Sequence, residues 1–476
     1  MQLATKMSSS MRNVLFTCLV VFYLISLMVQ LSHSVALRPT RLVNGTFPIS
    51  TSGRRMLESN SISAKAELVH RDSSSQDQLT LTDKVRGFVD RSNSRAKYLA
   101  RFLNPAGAND VAPTDFQSPV SVGNGEYVMA LNLGTPAKTY SVIVDTGSDL
   151  TWVQCSPCST CFEQPNPMFD PSSSSSYAAL GCSNSLCQTL PVVEGCSPCQ
   201  YFYEYGDQST TIGIFSQDTV TMATTSGGTQ QVGNVAFGCG HDNQGSFSGV
   251  DGLLGLGQGP ISFTSQLSSL FGGKFSYCLV SLMDSSSQTS PLLFGNAAIP
   301  SGAVKYTPIV QNSHHPTYYY VGLTGISVGG TLLNIPASVF GIDSSGSGGT
   351  ILDSGTTITQ LVGSAYKVVI QAFQSQMQYS QVSGSASGLD LCFDVSGAPS
   401  SGVTVPTLSF HFDQADIDLP AENYFVMVDN QGTLCLAMAG SYGFSIYGNI
   451  QQQNFQILFD RSGGRVGFKQ MQCDTL

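Results

Sequence analysis

Alternating apolar and polar residues set the pattern of the chain from about residue 126 onward. Tyr127-Val128-Met129-Ala130-Leu131-Asn132-Leu133, a Gly134-Thr135-Pro136 turn and the run from Tyr140 to Val144 predict two strands joined by a tight connection. The same order returns as Tyr319-Tyr320-Val321-Gly322-Leu323, then Ile326-Ser327-Val328-Gly329-Gly330, then Thr350-Ile351-Leu352-Asp353. Each copy ends in an acid at a glycine turn, Asp145-Thr146-Gly147-Ser148 in the first and Asp353-Ser354-Gly355-Thr356 in the second. Each is followed by an apolar pair before glycine, Leu253-Leu254-Gly255 and Ile446-Tyr447-Gly448. A duplication giving two related β-lobes is the simplest account, with a boundary near residues 300 to 315, drawn at 312/313. Upstream of both copies, a helix is expected around Thr82 to Leu103.

Composition agrees with many short strands. With 48 Gly, 21 Pro and 11% charged residues in 476, turns outnumber the places where long helices fit, and the fold is expected to be mainly β. The length leaves room for more than one domain.

The N-terminal 36 residues read differently. Lys6 and Arg12 precede an apolar run from Val14 to Val29, and Ser34-Val35-Ala36 places small residues at the positions that direct cleavage, so 1–36 is expected to be a secretory signal peptide. An uncleaved anchor is the alternative, since Val14 to Leu31 nearly spans a bilayer, but no stop-transfer flank follows. Secretion to the extracellular space or apoplast, without a stable membrane anchor, is the expected fate. Residues 37–118 carry twelve Lys or Arg against eight Asp or Glu, whereas from residue 119 onward the count is seven against 23, a formal charge of −16. A basic leader ahead of an acidic body is expected to be a propeptide complementing an acidic cleft. The scarcity of basic residues limits self-repulsion in acid and argues against nucleic-acid binding by the body.

Thirteen cysteines include Cys18 in the signal segment and twelve beyond it. In an exported chain an even set implies disulfides, although spacing alone selects no connectivity. Seven crowd the stretch 155–199, which is expected to be a loop insertion stapled by bridges. The Cys155-x-x-Cys158-x-x-Cys161 run also fits a metal or iron–sulfur site, but export favours disulfides, and neither metal nor cofactor is expected.

Two carboxyl groups brought together by a twofold arrangement of lobes cannot both ionise easily, so one holds a proton while its partner is charged. Such a pair polarises water for attack on a peptide carbonyl, one acid as base and the other as proton donor. Asp145 and Asp353 are the candidates. Thr146 and Ser354 offer hydroxyls to cross-link the two loops, Gly147 and Gly355 allow close backbone approach, and Ser148 and Thr356 can orient the outer carboxylate oxygens.

The ordered set of Asp145-Thr146-Gly147-Ser148 with Trp152, Tyr205-Gly206-Asp207-Gln208-Ser209, Asp251 to Gly257, Asp353 to Thr356, Ile446 to Asn449 and Phe459-Asp460 resembles the plant pepsin-like aspartic endopeptidases of the nepenthesin-like branch. Leu68-Val69-His70-Arg71-Asp72-Ser73 is similar to the prosegment signature of that family. The resemblance covers essentially the whole chain. It implies a bilobal acid-protease fold with a central cleft, an acid pH optimum, synthesis as a zymogen, a monomeric enzyme acting on protein or peptide substrates, and Tyr205 as the tip of a flap near the Trp152 indole. It also implies the pairs Cys155–Cys158, Cys161–Cys239, Cys182–Cys199, Cys187–Cys196, Cys278–Cys473 and Cys392–Cys435. Gln208 departs from the Gly found in many relatives.

A binding protein of the same fold that has lost its acids is the main rival, and both acids are present here. His70, Arg71 and the later leader arginines are expected to pair with ionised cleft carboxylates and to silence the enzyme at neutral pH. Asn44-Gly45-Thr46 is the single N-glycosylation sequon, within the leader.

Overall fold

The computed structural model describes residues 63–70, 80–103 and 126–476, apart from 191, 206, 246, 248, 282–288, 385 and 400–401. The segment 1–36 expected to be a signal peptide, Asn44 and Arg71 lie outside the described residues. In the N-terminal lobe the alternating run forms Tyr127–Leu133, paired antiparallel to Lys138–Asp145 from Val128 opposite Ile143 to Leu133 opposite Lys138. A long hairpin of Thr210–Ala223 and Thr229–Gln244 continues this lobe. In the C-terminal lobe Tyr319–Val321 pairs antiparallel with Thr350–Leu352. The lobes share a floor: Lys274–Cys278 pairs with Phe455–Asp460, and Lys305–Val310 pairs with both Arg465–Gln470 and Tyr319–Val321.

The leader is integrated into this framework. Its strand Ala64–His70 lies between Ser290–Phe294 and Tyr127–Leu133, with Leu68 opposite Ser290 on one side and Met129 on the other. Its helix spans Leu81–Leu103, one residue longer at the start than the periodicity predicts. Thr80 and Asp83 open it reciprocally: Thr80 Oγ1 donates to Asp83 Oδ2 at 2.6 Å, and Asp83 N donates to Thr80 Oγ1 at 3.2 Å. Val85, Phe88, Val89, Ala96, Leu99 and Ala100 are buried along one face. The first half of that face packs on Ile358, Leu389 and Val426, the second on Tyr320, Ile351 and Ile446. The whole buried stripe therefore seals against the C-terminal lobe.

The disulfides correct part of the implied pairing. Cys155 joins Cys239 and Cys158 joins Cys161, in place of Cys155–Cys158 and Cys161–Cys239. The strand Trp152–Gln154 runs parallel to Thr229–Gln244 with Val153 opposite Cys239, which carries Cys155 into the core beside that residue, while Cys158 and Cys161 stay on the outer loop. Cys187 joins Cys199, which excludes both Cys182–Cys199 and Cys187–Cys196. Cys187 and Cys199 are fully buried in one apolar cluster with Leu180, Leu190 and Phe215, and Cys182 is disulfide-bonded as well. Cys278–Cys473 and Cys392–Cys435 are bridged as the resemblance implies. Peptide mapping without reduction is expected to recover a Cys155–Cys239 crosslink; a Cys155–Cys158 link would contradict this register.

Candidate active site

The duplicated sequence elements assemble into the same three-stranded unit twice. Lys138–Asp145 is flanked by Tyr127–Leu133 and, in parallel, by Gly252–Gly255, with Gly255 opposite Asp145. Thr350–Leu352 is flanked by Tyr319–Val321 and, in parallel, by Ser445–Tyr447, with Leu352 opposite Tyr447. Val142 to Val144 and Thr350 to Leu352 are buried throughout, as central strands covered on both faces require. Each strand delivers its acid into the space between the lobes.

Asp145 and Asp353 are both fully buried. The two loops clasp each other symmetrically: Ser354 N donates to Thr146 Oγ1 at 2.9 Å, and Thr146 N donates to Ser354 Oγ at 3.0 Å. Ser148 Oγ donates to Asp145 Oδ2 at 2.5 Å and Thr356 Oγ1 to Asp353 Oδ2 at 2.6 Å. Gly147 N and Gly355 N serve the inner oxygens of Asp145 and Asp353 at 2.9 and 3.0 Å. A Cβ on Gly147 would lie 2.6 Å from Asp353 Oδ1, and one on Gly355 would strike Asp145 Oδ1, so close approach of the loops demands glycine at both places. Thr146→Ala combined with Ser354→Ala leaves two buried N–H groups without partners and is expected to lower unfolding stability by about 2–4 kcal/mol, read from the denaturant midpoint.

A cation occupies the space where the carboxyl groups meet. From the leader helix, Arg95 Nη2 donates to Asp145 Oδ1 at 2.8 Å and to Asp353 Oδ1 at 3.1 Å, while Nε donates to Asp353 Oδ2 at 2.6 Å. One nitrogen thus reaches the inner oxygen of each acid, so the two oxygens face a common point. Burial disfavours the guanidinium charge, but Asp145 and Asp353 outweigh that and raise its pKa. Burial pushes the Asp353 carboxyl up to about 6, with Arg95 pulling it down and the Asp145 charge pushing it up.

The hairpin expected to carry the flap pairs Cys199–Glu204 with Thr210–Ala223. Tyr205 N donates to Ser209 O at 2.8 Å and Gln208 N to Tyr205 O at 2.9 Å, closing the tip. Gln208 adopts φ +69°, the left-handed region that glycine enters without steric cost. Gln208→Gly is expected to relieve about 1 kcal/mol of backbone strain while loosening the tip, visible as faster amide exchange at 205–209. Burial holds the Tyr205 phenol far above its usual pKa, with Tyr203 and Asp145 adding to this, and Tyr205 and Trp152 lie in one buried apolar cluster. Neither Trp152 Nε1 nor Tyr205 Oη makes an aligned hydrogen bond, and Phe247 wedges edge-on to both, with centroids 4.9 and 5.4 Å away.

Of the leader groups expected to meet the acids, His70 instead packs edge-on against Phe88 and Tyr127. Arg95 is one of the later leader arginines expected to meet the acids, although sequence reasoning did not single it out; an arginine between Ser92 and Leu99 on the apolar face of an amphipathic helix signals a buried counter-charge. It also passed over Asp149, whose carboxylate accepts from Gly259 N at 2.8 Å and Thr317 Oγ1 at 2.6 Å, tying the first acid loop to the start of the C-terminal lobe.

Two β-lobes of the same strand order, meeting at facing carboxyl groups, define a pepsin-like acid-protease fold. A family profile described as xylanase inhibitor N-terminal matches residues 127–296, and one described as xylanase inhibitor C-terminal matches residues 318–470. Aspartic proteinase nepenthesin-1 of Nepenthes gracilis is 44% identical over 402 residues, 83% of this chain and 87% of that protein. Aspartyl protease family protein 2 of Arabidopsis thaliana is 43% identical over 399 residues, 81% and 80% of the two chains. The crystal structure of edgp shares the fold at 24% identity with a TM-score of 0.63, covering 75% of this chain and 94% of that one. The chain belongs to the plant pepsin-like aspartic endopeptidases, in the nepenthesin-like branch.

Proposed function

We propose that the chain is the latent precursor of a secreted aspartic endopeptidase that, once its leader is lost, hydrolyses peptide bonds with water activated between Asp145 and Asp353. The observation that carries this reading is the bridging of both acids by Arg95 within loops clasped by Thr146 and Ser354. Two acids able to share one cation are equally placed to share one water. The ionised partner takes a proton from the water as its oxygen attacks the peptide carbonyl carbon, and the protonated partner gives its proton to the carbonyl oxygen. Collapse of the resulting gem-diol, with proton transfer to the amide nitrogen, breaks the bond without a covalent intermediate. Trp152, Tyr205 and Phe247 form the apolar cover that keeps bulk water out.

The leader is the inhibitor in this scheme, with residues 1–36 as signal, 37–118 as propeptide, 119–312 and 313–476 as the lobes of a monomeric mature enzyme. Arg95 favours the ionised form of Asp353, so by linkage its hold on the acid pair weakens as acid protonates that carboxyl, and latency loosens. Secretion, an acid optimum and the lack of a nucleic-acid role follow from the same reading. No helix among the described residues is long and apolar enough to cross a membrane.

The family descriptions that name xylanase inhibitors favour a second reading, a non-catalytic binding protein. Retention of both acids with their hydroxyl partners weighs against it. Incubating acid-processed protein with a denatured protein substrate from pH 2 to 8, and reading new termini by mass spectrometry, separates the two. New cleavages concentrated at acid pH are expected, and none at any pH would leave the binding reading.

A further inference from the structure

The leader helix presents two arginines to the cleft, not one. Arg91 lies four residues before Arg95 and so projects from the same side of the helix, one turn away. Its Nε is 3.1 Å from Glu126 Oε1, and both side chains are largely buried. Arg91, Arg95, Glu126, Asp145, Tyr205 and Asp207 line one cavity, which retains about 40 Å³ of space with both arginines in place. Its walls are completed by Ile143, Phe247 and Leu253, apolar surface suited to the methylene stem of a long basic side chain.

Resting on the endopeptidase reading, we propose that the place of Arg91 is a substrate subsite for a lysine or arginine side chain, read by Glu126 and assisted by Asp207. When the helix leaves, both cations among the lining residues leave with it, and Glu126 and Asp207 remain beside the acid pair as carboxylates that take no part in the chemistry. Asp207 is fixed for this role: Ser209 N and Ser209 Oγ donate to its two oxygens at 3.0 and 2.7 Å, and each oxygen keeps a further acceptor site. Arg91 is held by charge, and by Phe88 whose ring centroid is 5.8 Å from its Cζ, rather than by an aligned hydrogen bond from Nε or Nη2. Such an occupant is exchangeable for a substrate side chain of the same kind.

The geometry also sets the position along the substrate. Four helical residues advance about 6 Å, and an extended peptide advances about 3.3 Å per residue. The basic side chain therefore belongs about two residues from the residue at the scissile bond. The cavity adjoins the flap tip through Tyr205 and Asp207, so this contact forms only under the closed flap.

The test uses the acid-processed protein and a peptide series that differs at single positions between lysine, its uncharged analogue norleucine, and glutamate. Wild type is expected to favour lysine over norleucine by roughly tenfold in kcat/KM at one position about two residues from the cut. Glu126→Gln is expected to bring that ratio close to one, and Glu126→Lys to transfer the preference to the glutamate peptide. Cleavage of the series by wild type without any lysine preference would overturn the subsite. So would an unchanged ratio in Glu126→Gln, which would leave Glu126 as an anchor for the leader alone. Cleavage of no peptide at all would instead sink the endopeptidase reading, so the two failures are distinct.

Discussion

The intact, unprocessed chain carrying Arg95→Met hydrolyses peptide at mildly acid pH faster than the intact wild type does. Arg95 makes three charge-assisted hydrogen bonds to the acids, and its side chain is only 13% exposed against 1% and 0% for Asp145 and Asp353. Removing one partner of a buried pair costs about 3–5 kcal/mol, and applied to docking of the helix this raises the open fraction by roughly 10² to 10⁴-fold. Methionine keeps much of the stem volume without the charge, so the buried stripe from Val85 to Ala100 still folds. The sign with pH is also fixed. In wild type Arg95 favours ionised Asp353, so opening increases as acid protonates that carboxyl, whereas in the variant the cation is gone and that dependence flattens. Rates on intact chain between pH 4 and 8, with electrophoresis to verify that no processing has occurred, check both points. Arg95→Lys offers a point charge without the planar fork and is expected to fall between the two.

Asp145→Asn and Asp353→Asn in the processed enzyme each lower kcat by at least about 10⁴-fold, because residues that act as a unit fail together. An amide has no proton to donate in the required step and no basicity to accept one. The folds survive, since the amide oxygen still accepts from Gly147 N or Gly355 N, while the amide NH2 donates to the Ser148 or Thr356 hydroxyl, which turns to accept. The double variant is expected to be no worse than either single one, which a pair of independent contributors would not produce. Thermal unfolding of each variant near the wild-type value verifies that chemistry, not folding, is lost.

Much of this was legible in the chain because the duplication is a backbone property. The runs ending at Asp145 and Asp353 and the apolar pairs before Gly255 and Gly448 fix a strand order, and two loops of equal chemistry then meet by symmetry. The leader helix was equally legible, as Thr80 and Asp83 cap it and its apolar face repeats with helical period. The pairing of cysteines was not, because it depends on which strand lies beside Trp152–Gln154, and only the parallel register with Thr229–Gln244 brings Cys155 to Cys239. Arg95 carries a visible local signal, but its target is set by how the helix lies across the C-terminal lobe. Asp149 lies one residue past the motif and gains meaning only from Gly259 and Thr317, far away in sequence.

The most direct test of the acid-pair mechanism is kcat/KM on one peptide from pH 2 to 8, measured side by side for processed wild type and processed Asp353→Asn. The account predicts an acid-centred profile for wild type and no measurable rate at any pH for the variant. A variant that retains the wild-type rate and profile while folded would contradict it, and would place the chemistry outside the pair formed by Asp145 and Asp353.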